Sequence, residues 1–174
     1  MTNKDWIMVD LETYSELPTA AIASIGAVKF NPVNRTLSEE FYMTVSPSSC
    51  KGYGLHFSAS TLQWWKTQPY EARKTLTENN VNLYDALTQF TDWLGSFERI
   101  CCWNMFDIPV LAYSYYAVGK KEPWNYYKTL ECRTIADVYG EKIKRDASTH
   151  HNALEDAKTQ AKFIIDVLNP LEVE

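Results

Sequence analysis

The chain has 174 residues and a formal net charge of −5, and apolar and charged residues make up 45% and 22% of it. This ordinary globular composition excludes disordered, collagen-like and coiled-coil proteins and predicts a single folded domain over residues 1–174. Because the net charge supplies no global basic field, a nucleic-acid partner would have to be attracted by a local patch or by bound metal ions.

The first predicted elements are strands, followed by helices. The apolar patterns and turn residues predict an antiparallel unit of three strands, at residues 6–9, 21–30 and 38–45. The first strand delivers Asp10 and Glu12 at its C-terminal end. Capping residues and apolar spacing then predict three helices, one capped by Ser58, one from Pro69 to about Glu78, and one from Asn82 to about Phe97.

The second half of the chain adds one strand and two helices. A short strand is expected at residues 100–103, a helix at 107–119, and a final helix at 153–168 that Asn169 and Pro170 stop. Residues 120–145 form a locally basic connection with seven Lys or Arg against four acids. This order predicts an α/β fold with one mixed sheet, three antiparallel strands plus parallel strands, flanked by helices.

The N-terminus and the cysteines indicate where the protein works. No run approaches about 18 consecutive apolar residues, and the first residues lead into a short apolar stretch instead of a signal-peptide core. The four cysteines have no C-x-x-C spacing, which favours reduced, buried thiols over a zinc site or disulfides; they are Cys50, Cys101, Cys102 and Cys132. We therefore expect a soluble, cytoplasmic protein with no membrane partner.

Asp10 and Glu12 are two residues apart on a predicted strand. Because a strand has a period of two, both carboxylates leave the same face with Cα atoms roughly 6.5–7 Å apart, while Leu11 points to the core. Two neighbouring acids repel each other unless a divalent cation lies between them. The pair is therefore either a metal site or a solvated strand end.

Two later segments also place polar residues where elements begin. Asp107 is either a helix N-cap or a metal ligand, and Asn104 would equally serve as a turn residue. Asn152, with an acid three residues later, is a favourable cap for the final helix. Asp156 then lies one turn inside that helix, and His151 has to arch in from the preceding loop.

Together these segments resemble the three motifs of the DEDDh, DnaQ-like 3′-to-5′ exonuclease superfamily. The matching residues, in chain order, are Asp10-x-Glu12, Asn104-x-x-Asp107 and His151-x-x-x-x-Asp156. Residues 10–13 with 21–28, and 64–68 with 71–73, are similar to the bacterial and phage branch that includes ribonuclease AS-like exoribonucleases. The resemblance spans roughly residues 6–168 and implies an RNase H-like fold. It also implies that the protein works in a bacterial or phage-infected cell.

The resemblance implies a site with two Mg²⁺ or Mn²⁺ ions, which suit hard oxygen ligands. Asp10, Glu12 and Asp156 would hold the first ion, Asp10 would bridge, and Asp107 would hold the second. His151 would be the general base, since an unperturbed histidine is mostly neutral at physiological pH.

The other two histidines, His150 and His56, do not align with the motif. We expect His150 to be a solvent-facing neighbour of His151. His56 is interpreted as a loop or packing histidine.

The implied substrate is single-stranded nucleic acid with a free 3′ end, shortened to nucleoside monophosphates. RNA is favoured, and DNA by the same chemistry is the alternative. A catalytically silent nucleic-acid-binding module is disfavoured because all five motif residues are present. Leu11, Thr13 and Asn104, which lie inside the motifs, are candidate substrate contacts.

Aromatic residues outside the motifs leave two questions open. Trp64 and Trp65 diverge by about 100° on a helix, so one of them is expected at a groove or a subunit interface. The resemblance implies a homodimer, for which exposed aromatics would be suitable anchors. In the basic connection, Trp124, Tyr126 and Tyr127 could stack on bases or pack a loop against the core.

Overall fold

The computed structural model describes residues 4–76, 78–143 and 151–169. Its strands are β1 (Trp6–Thr13), β2 (Ile22–Asn31), β3 (Thr36–Thr44), β4 (Ile100–Cys102) and β5 (Thr129–Glu131). They form a sheet in the order β3-β2-β1-β4-β5, in which the first three strands are antiparallel and β4 is parallel to both β1 and β5. The predicted mixed sheet is confirmed.

Seven α-helices lie within the described ranges. They are α1 (Pro47–Gly52), α2 (Ala59–Thr67), α3 (Tyr70–Thr75), α4 (Leu83–Leu94), α5 (Asp107–Ala117), α6 (Cys132–Val138) and α7 (Ala153–Leu168). The bounds of α7 agree with the sequence prediction. Within those ranges, no helix combines the length and the apolar character that crossing a bilayer requires.

Several elements differ from the expectation. β1 continues beyond Val9 because Asp10 and Glu12 pair with Gly26 and Ser24 of β2, so both acids lie inside the strand. The connection at 120–145 contains β5 and α6, which the basic composition concealed, and α1 was not predicted. The helix expected from Pro69 to Glu78 is the shorter α3, with Pro69 at its N-cap.

The sheet separates two apolar cores, and β1 contributes to both. Ile7, Val9 and Leu11 face the larger core, which includes buried residues of α2, α4 and α5. Trp6 and Met8 face the smaller core, which includes α7. Because side chains alternate along a strand, Asp10 and Glu12 continue the row that faces α7.

Gly26 brings the first turn of α7 close to the sheet. A Cβ atom at Gly26 would lie 2.1 Å from the carbonyl carbon of Ala153 and 2.2 Å from the nitrogen of Leu154, far inside van der Waals contact. Gly26 is also the β2 partner of Asp10. The absence of a side chain therefore allows the start of α7 to lie beside the acidic end of β1.

The cysteines agree with the expectation of reduced thiols. All four are free and buried. Burial raises the pKa of Cys50 to about 11, so this thiol stays protonated at neutral pH. The cysteines therefore contribute to packing and not to a disulfide framework.

Candidate metal centre

Asp10 and Glu12 of β1 meet Asp156 of α7. One carboxylate oxygen from each of the three residues lies within 4.8 Å of the others, and we call this group the three-acid cluster. The period of β1 presents its two acids to α7, and the capped start of α7 places Asp156 one turn into the helix. Three oxygen donors at this spacing match the ligand preference of Mg²⁺ or Mn²⁺.

The electrostatics of Asp10 fit a cation site. The pKa of Asp10 is raised well above its ordinary value, chiefly by burial and then by the negative charges of Asp107, Glu12 and Asp156. A hydrogen bond from Gln160 acts in the opposite direction. A divalent cation would remove the mutual repulsion that these carboxylates experience without one.

Asp107 lies next to this cluster but is not one of its three members. It is the first residue of α5, is buried, and accepts a hydrogen bond at 3.1 Å from the main-chain N–H of Leu11. The N-cap position of α5 belongs to Phe106, which makes no side-chain cap bond. Asp107 therefore fastens α5 to β1 beside Asp10, and its role as the ligand of a second ion stays a prediction.

His151 lies in the loop before α7, as expected. Its φ is 71°, a left-handed conformation that is uncommon for a residue with a side chain. Its main-chain N–H donates to Asp156 Oδ2 at 3.2 Å. The next residue, Asn152, caps α7 by accepting from the N–H groups of Leu154 and Glu155. The loop is therefore tied to a member of the three-acid cluster.

Two tryptophans of α2 contact the His151 ring. The ring centroid of His151 lies 4.8 Å from that of Trp64 and 5.9 Å from that of Trp65, both edge to face. Trp65 is 5% exposed and its indole N–H donates to the main-chain oxygen of Thr13 at 2.9 Å, whereas Trp64 is 41% exposed. The pair therefore divides into a buried anchor and a groove residue.

A pocket of about 500 Å³ opens between the end of β1 and α2. Its lining includes two of the candidate substrate contacts, Leu11 and Thr13, together with Trp64 and Phe106. Asn104 does not line it; its main-chain oxygen accepts from the Cys102 thiol and from Phe106 N–H, as in a turn. Asn104 as a substrate contact stays a prediction.

The remaining candidates are the two other histidines and residues of the basic connection at 120–145. His56 is exposed and its Nδ1 lies 2.7 Å from the hydroxyl of Ser15, in keeping with a loop histidine. His150, Lys144 and Arg145 lie outside the described residues. Trp124 packs in the core, while Tyr126 and Tyr127 are exposed.

Sequence reasoning missed Gln160 and Phe106. Gln160 is four residues after Asp156 on α7, buried, and its amide nitrogen donates to Asp10 Oδ1 at 2.7 Å. The spacing of four on one helix face, with an amide among buried apolar neighbours, is a signal that could have found it. Phe106, inside the second motif, carries no such signal.

A family model for the Rv2179c-like 3′-5′ exoribonuclease domain matches residues 5–168. This chain belongs to that family. The match contains His151 and the four motif acids, and it confirms the resemblance to the DEDDh exonucleases and their bacterial and phage branch.

Individual proteins agree with the family. An exodeoxyribonuclease of Enterobacteria phage T4 is 30% identical over an alignment that covers 60% of this chain and 52% of that protein, so the chain matches about half the length of this curated relative. The nuclease domain of 3′hExo, a DEDDh family member bound to rAMP, superposes with a TM-score of 0.63 at 14% identity, covering 99% of this chain and 96% of that one. E. coli ExoI, in a zinc-bound complex with single-stranded DNA, superposes with a TM-score of 0.71 at 14% identity. This superposition covers 98% of this chain and 42% of that one.

Proposed function

We propose that this protein is a metal-dependent 3′-to-5′ exonuclease that releases nucleoside monophosphates from single-stranded RNA. The observation that carries the proposal is the three-acid cluster, in a chain that belongs to an exoribonuclease family. Family membership supports the reaction class, and the acids supply the donor set that the reaction needs.

Each motif residue has a role in this proposal. Asp10, Glu12 and Asp156 would hold one divalent cation, and Asp107 together with Asp10 would hold a second. Such cations, when bound, would supply positive charge beside the phosphate that is attacked. His151 is the general base, which takes a proton from the attacking water through its ring.

The pocket beside the cluster receives the 3′-terminal nucleotide. Leu11 and Phe106 offer apolar walls, and Trp64 offers a half-exposed ring. Bases stack on such rings with about 1–3 kcal/mol each, without strong sequence preference. A terminal nucleotide seated here would place its phosphodiester beside the acids, since Glu12 belongs to both the pocket and the cluster.

DNA is the second candidate substrate. The phage T4 relative is an exodeoxyribonuclease, and its 30% identity to this chain favours the alternative. The chemistry would be the same, because the acids act on the phosphodiester and not on the sugar.

A matched pair of substrates tests both candidates. RNA and DNA oligomers of one sequence, labelled at the 5′ end, are incubated with Mg²⁺ or Mn²⁺, with Asp156→Asn as the control protein. We expect RNA to shorten in a ladder of one-nucleotide steps and the control to be inert. Label at the 3′ end should be released at once as mononucleotide, and chelator should stop the reaction.

Other outcomes would redirect the proposal. Cleavage of circular RNA, or long first products from 3′-labelled RNA, would show an endonuclease. Faster loss of DNA than of RNA under the same metal would move the substrate to the second candidate. Binding of oligomers without turnover by the wild-type protein would favour the catalytically silent module.

We also propose the homodimer that the resemblance implies. Trp64, one of the expected anchors, lies against His151 at the pocket, so the anchors would have to include other exposed aromatics such as Tyr126 and Tyr127. Light scattering coupled to size exclusion measures the mass, and a particle of one chain would contradict the dimer.

A further inference from the structure

Gln160 is a buried polar residue on the α7 face that meets β1. Its side chain is 2% exposed, and residues around it on α7 are apolar and buried: Ala157, Ala161 and Ile164. An amide in such surroundings lowers the free energy of unfolding unless its polar atoms are hydrogen-bonded. An apolar residue at this place would carry no such hydrogen-bonding requirement.

Among the residues that the structure describes, hydrogen-bond partners satisfy one end of the Gln160 amide. The nitrogen donates to Asp10 Oδ1 at 2.7 Å. Within the described ranges, the amide oxygen of Gln160 is buried and has no hydrogen-bond partner. Among the described residues, the side-chain hydrogen bond of Gln160 is therefore directed at a member of the three-acid cluster, across 150 positions of the chain.

We propose that Gln160 is a positioning residue that fixes the Asp10 carboxylate in the orientation that binds the metal ion. This inference rests on the proposed function and adds to it a residue that contacts no substrate. A carboxylate on a strand can rotate about its terminal bond, and a single donor on one oxygen removes that freedom. Outer hydrogen-bond partners of ligating carboxylates commonly contribute 10–100-fold to metal affinity or activity.

Isothermal titration of the metal-free protein with MnCl₂ tests this role. Gln160→Met keeps the length of the side chain and removes the donor, and Gln160→Asn keeps an amide that is one methylene too short to reach Asp10. We expect both variants to bind Mn²⁺ about 10–100-fold more weakly than wild type. Gln89→Met, a change of the same chemistry on the exposed face of α4, is the matched control and should bind as wild type.

A second measurement separates positioning from catalysis. Turnover of the Gln160 variants should return towards the wild-type value as Mn²⁺ is raised to saturation, because the reacting groups themselves are intact. Thermal unfolding in chelator establishes that each variant is folded, and if Gln160→Met fails this check, Gln160→Asn decides.

Three outcomes would contradict the inference, and they are distinguishable. Wild-type Mn²⁺ affinity in either folded variant would show that the Gln160 bond is only structural. Turnover that stays low at saturating Mn²⁺ would show a role beyond placing the metal. If the wild-type protein takes up no Mn²⁺, or if Asp10→Asn binds as wild type does, the proposed metal centre is itself wrong and the role of Gln160 falls with it.

Discussion

The carboxylates and the histidine of the site are held by different kinds of structure. Asp10 and Glu12 lie on β1, between β2 and β4, and Asp156 lies within the 16-residue helix α7. His151 lies outside any helix or strand, in a left-handed conformation, with its ring against the edges and faces of two indoles. Hydrogen-bonded backbone of a strand and a helix fixes the carboxylates, whereas His151 is placed by ring contacts and by the bond of its main-chain N–H to Asp156.

This difference predicts two classes of mutational effect. Substitutions of the carboxylates on β1 and α7 should act through metal binding, and their effect on turnover should be close to all-or-none. Substitutions of His151 or of the tryptophans around it should leave metal binding intact and lower turnover by graded amounts, because ring contacts contribute about 0.5–1.5 kcal/mol each.

Asp10→Asn should have the largest effect. We expect no measurable turnover and lost Mn²⁺ binding, together with a folded protein. In chelator the variant should be more stable than wild type, because it removes one of four mutually repelling carboxylates. Relief of about 1 kcal/mol would raise the midpoint of thermal unfolding by about 2–4 °C. A lower midpoint in chelator would show that Asp10 is a structural acid.

His151→Ala should lower turnover by about 10²- to 10⁴-fold, the usual loss of a general base. Titration should show unchanged Mn²⁺ affinity, and oligomer binding should persist. His150→Ala is the matched control, and we expect near wild-type turnover from it. A larger effect of His150→Ala would place the base one residue earlier.

Gly26→Ala should disturb the carboxylates and His151 together, since Gly26 lies under the first turn of α7. The added methyl would meet backbone atoms of Ala153 and Leu154 that cannot rotate away. We expect a loss of about 1–3 kcal/mol in unfolding free energy and, from a shift of order 1 Å, about 10²-fold in turnover. Urea unfolding in chelator measures the unfolding free energy. Gly52→Ala, which has open space around it, is the control, and an equal loss there would remove the close-approach argument.

Trp64→Ala should have the smallest effect, about tenfold in turnover at saturating substrate and metal, from loss of one ring contact to His151. Trp64→Phe should recover much of it. Tyr116→Ala, which removes another exposed ring, should not change turnover. In a His151→Ala background, Trp64→Ala should leave turnover at saturating substrate unchanged and should weaken only oligomer binding. A further tenfold loss there would mean that Trp64 does not act through His151.

The sequence predicted the parts of the site that follow from local periodicity. The same-face placement of Asp10 and Glu12, the cap at Asn152 and the bounds of α7 all depend on residues within a few positions of each other. The bond of Asp107 to β1 was not predictable, because it depends on how α5 docks. For the same reason the contact of Trp64 with His151 could not be derived, since nothing local connects residues so far apart.

Two short elements were not predicted, for a related reason. β5 and α6 have three and seven residues, and neither has a pattern long enough to stand out within a basic stretch. β5 exists because β4 pairs with it, as Cys102 does with Glu131. Its stability comes from the sheet edge that it joins and not from its own composition.

The position of α7 along the chain has a consequence during synthesis. Asp10 and Glu12 are made before Asp156, His151 and Gln160, which belong to the last described element or precede it directly. A chain still on the ribosome has no complete metal centre until α7 has emerged and docked beside Gly26. If the protein degrades RNA as proposed, the nascent chain is itself inactive until that docking step.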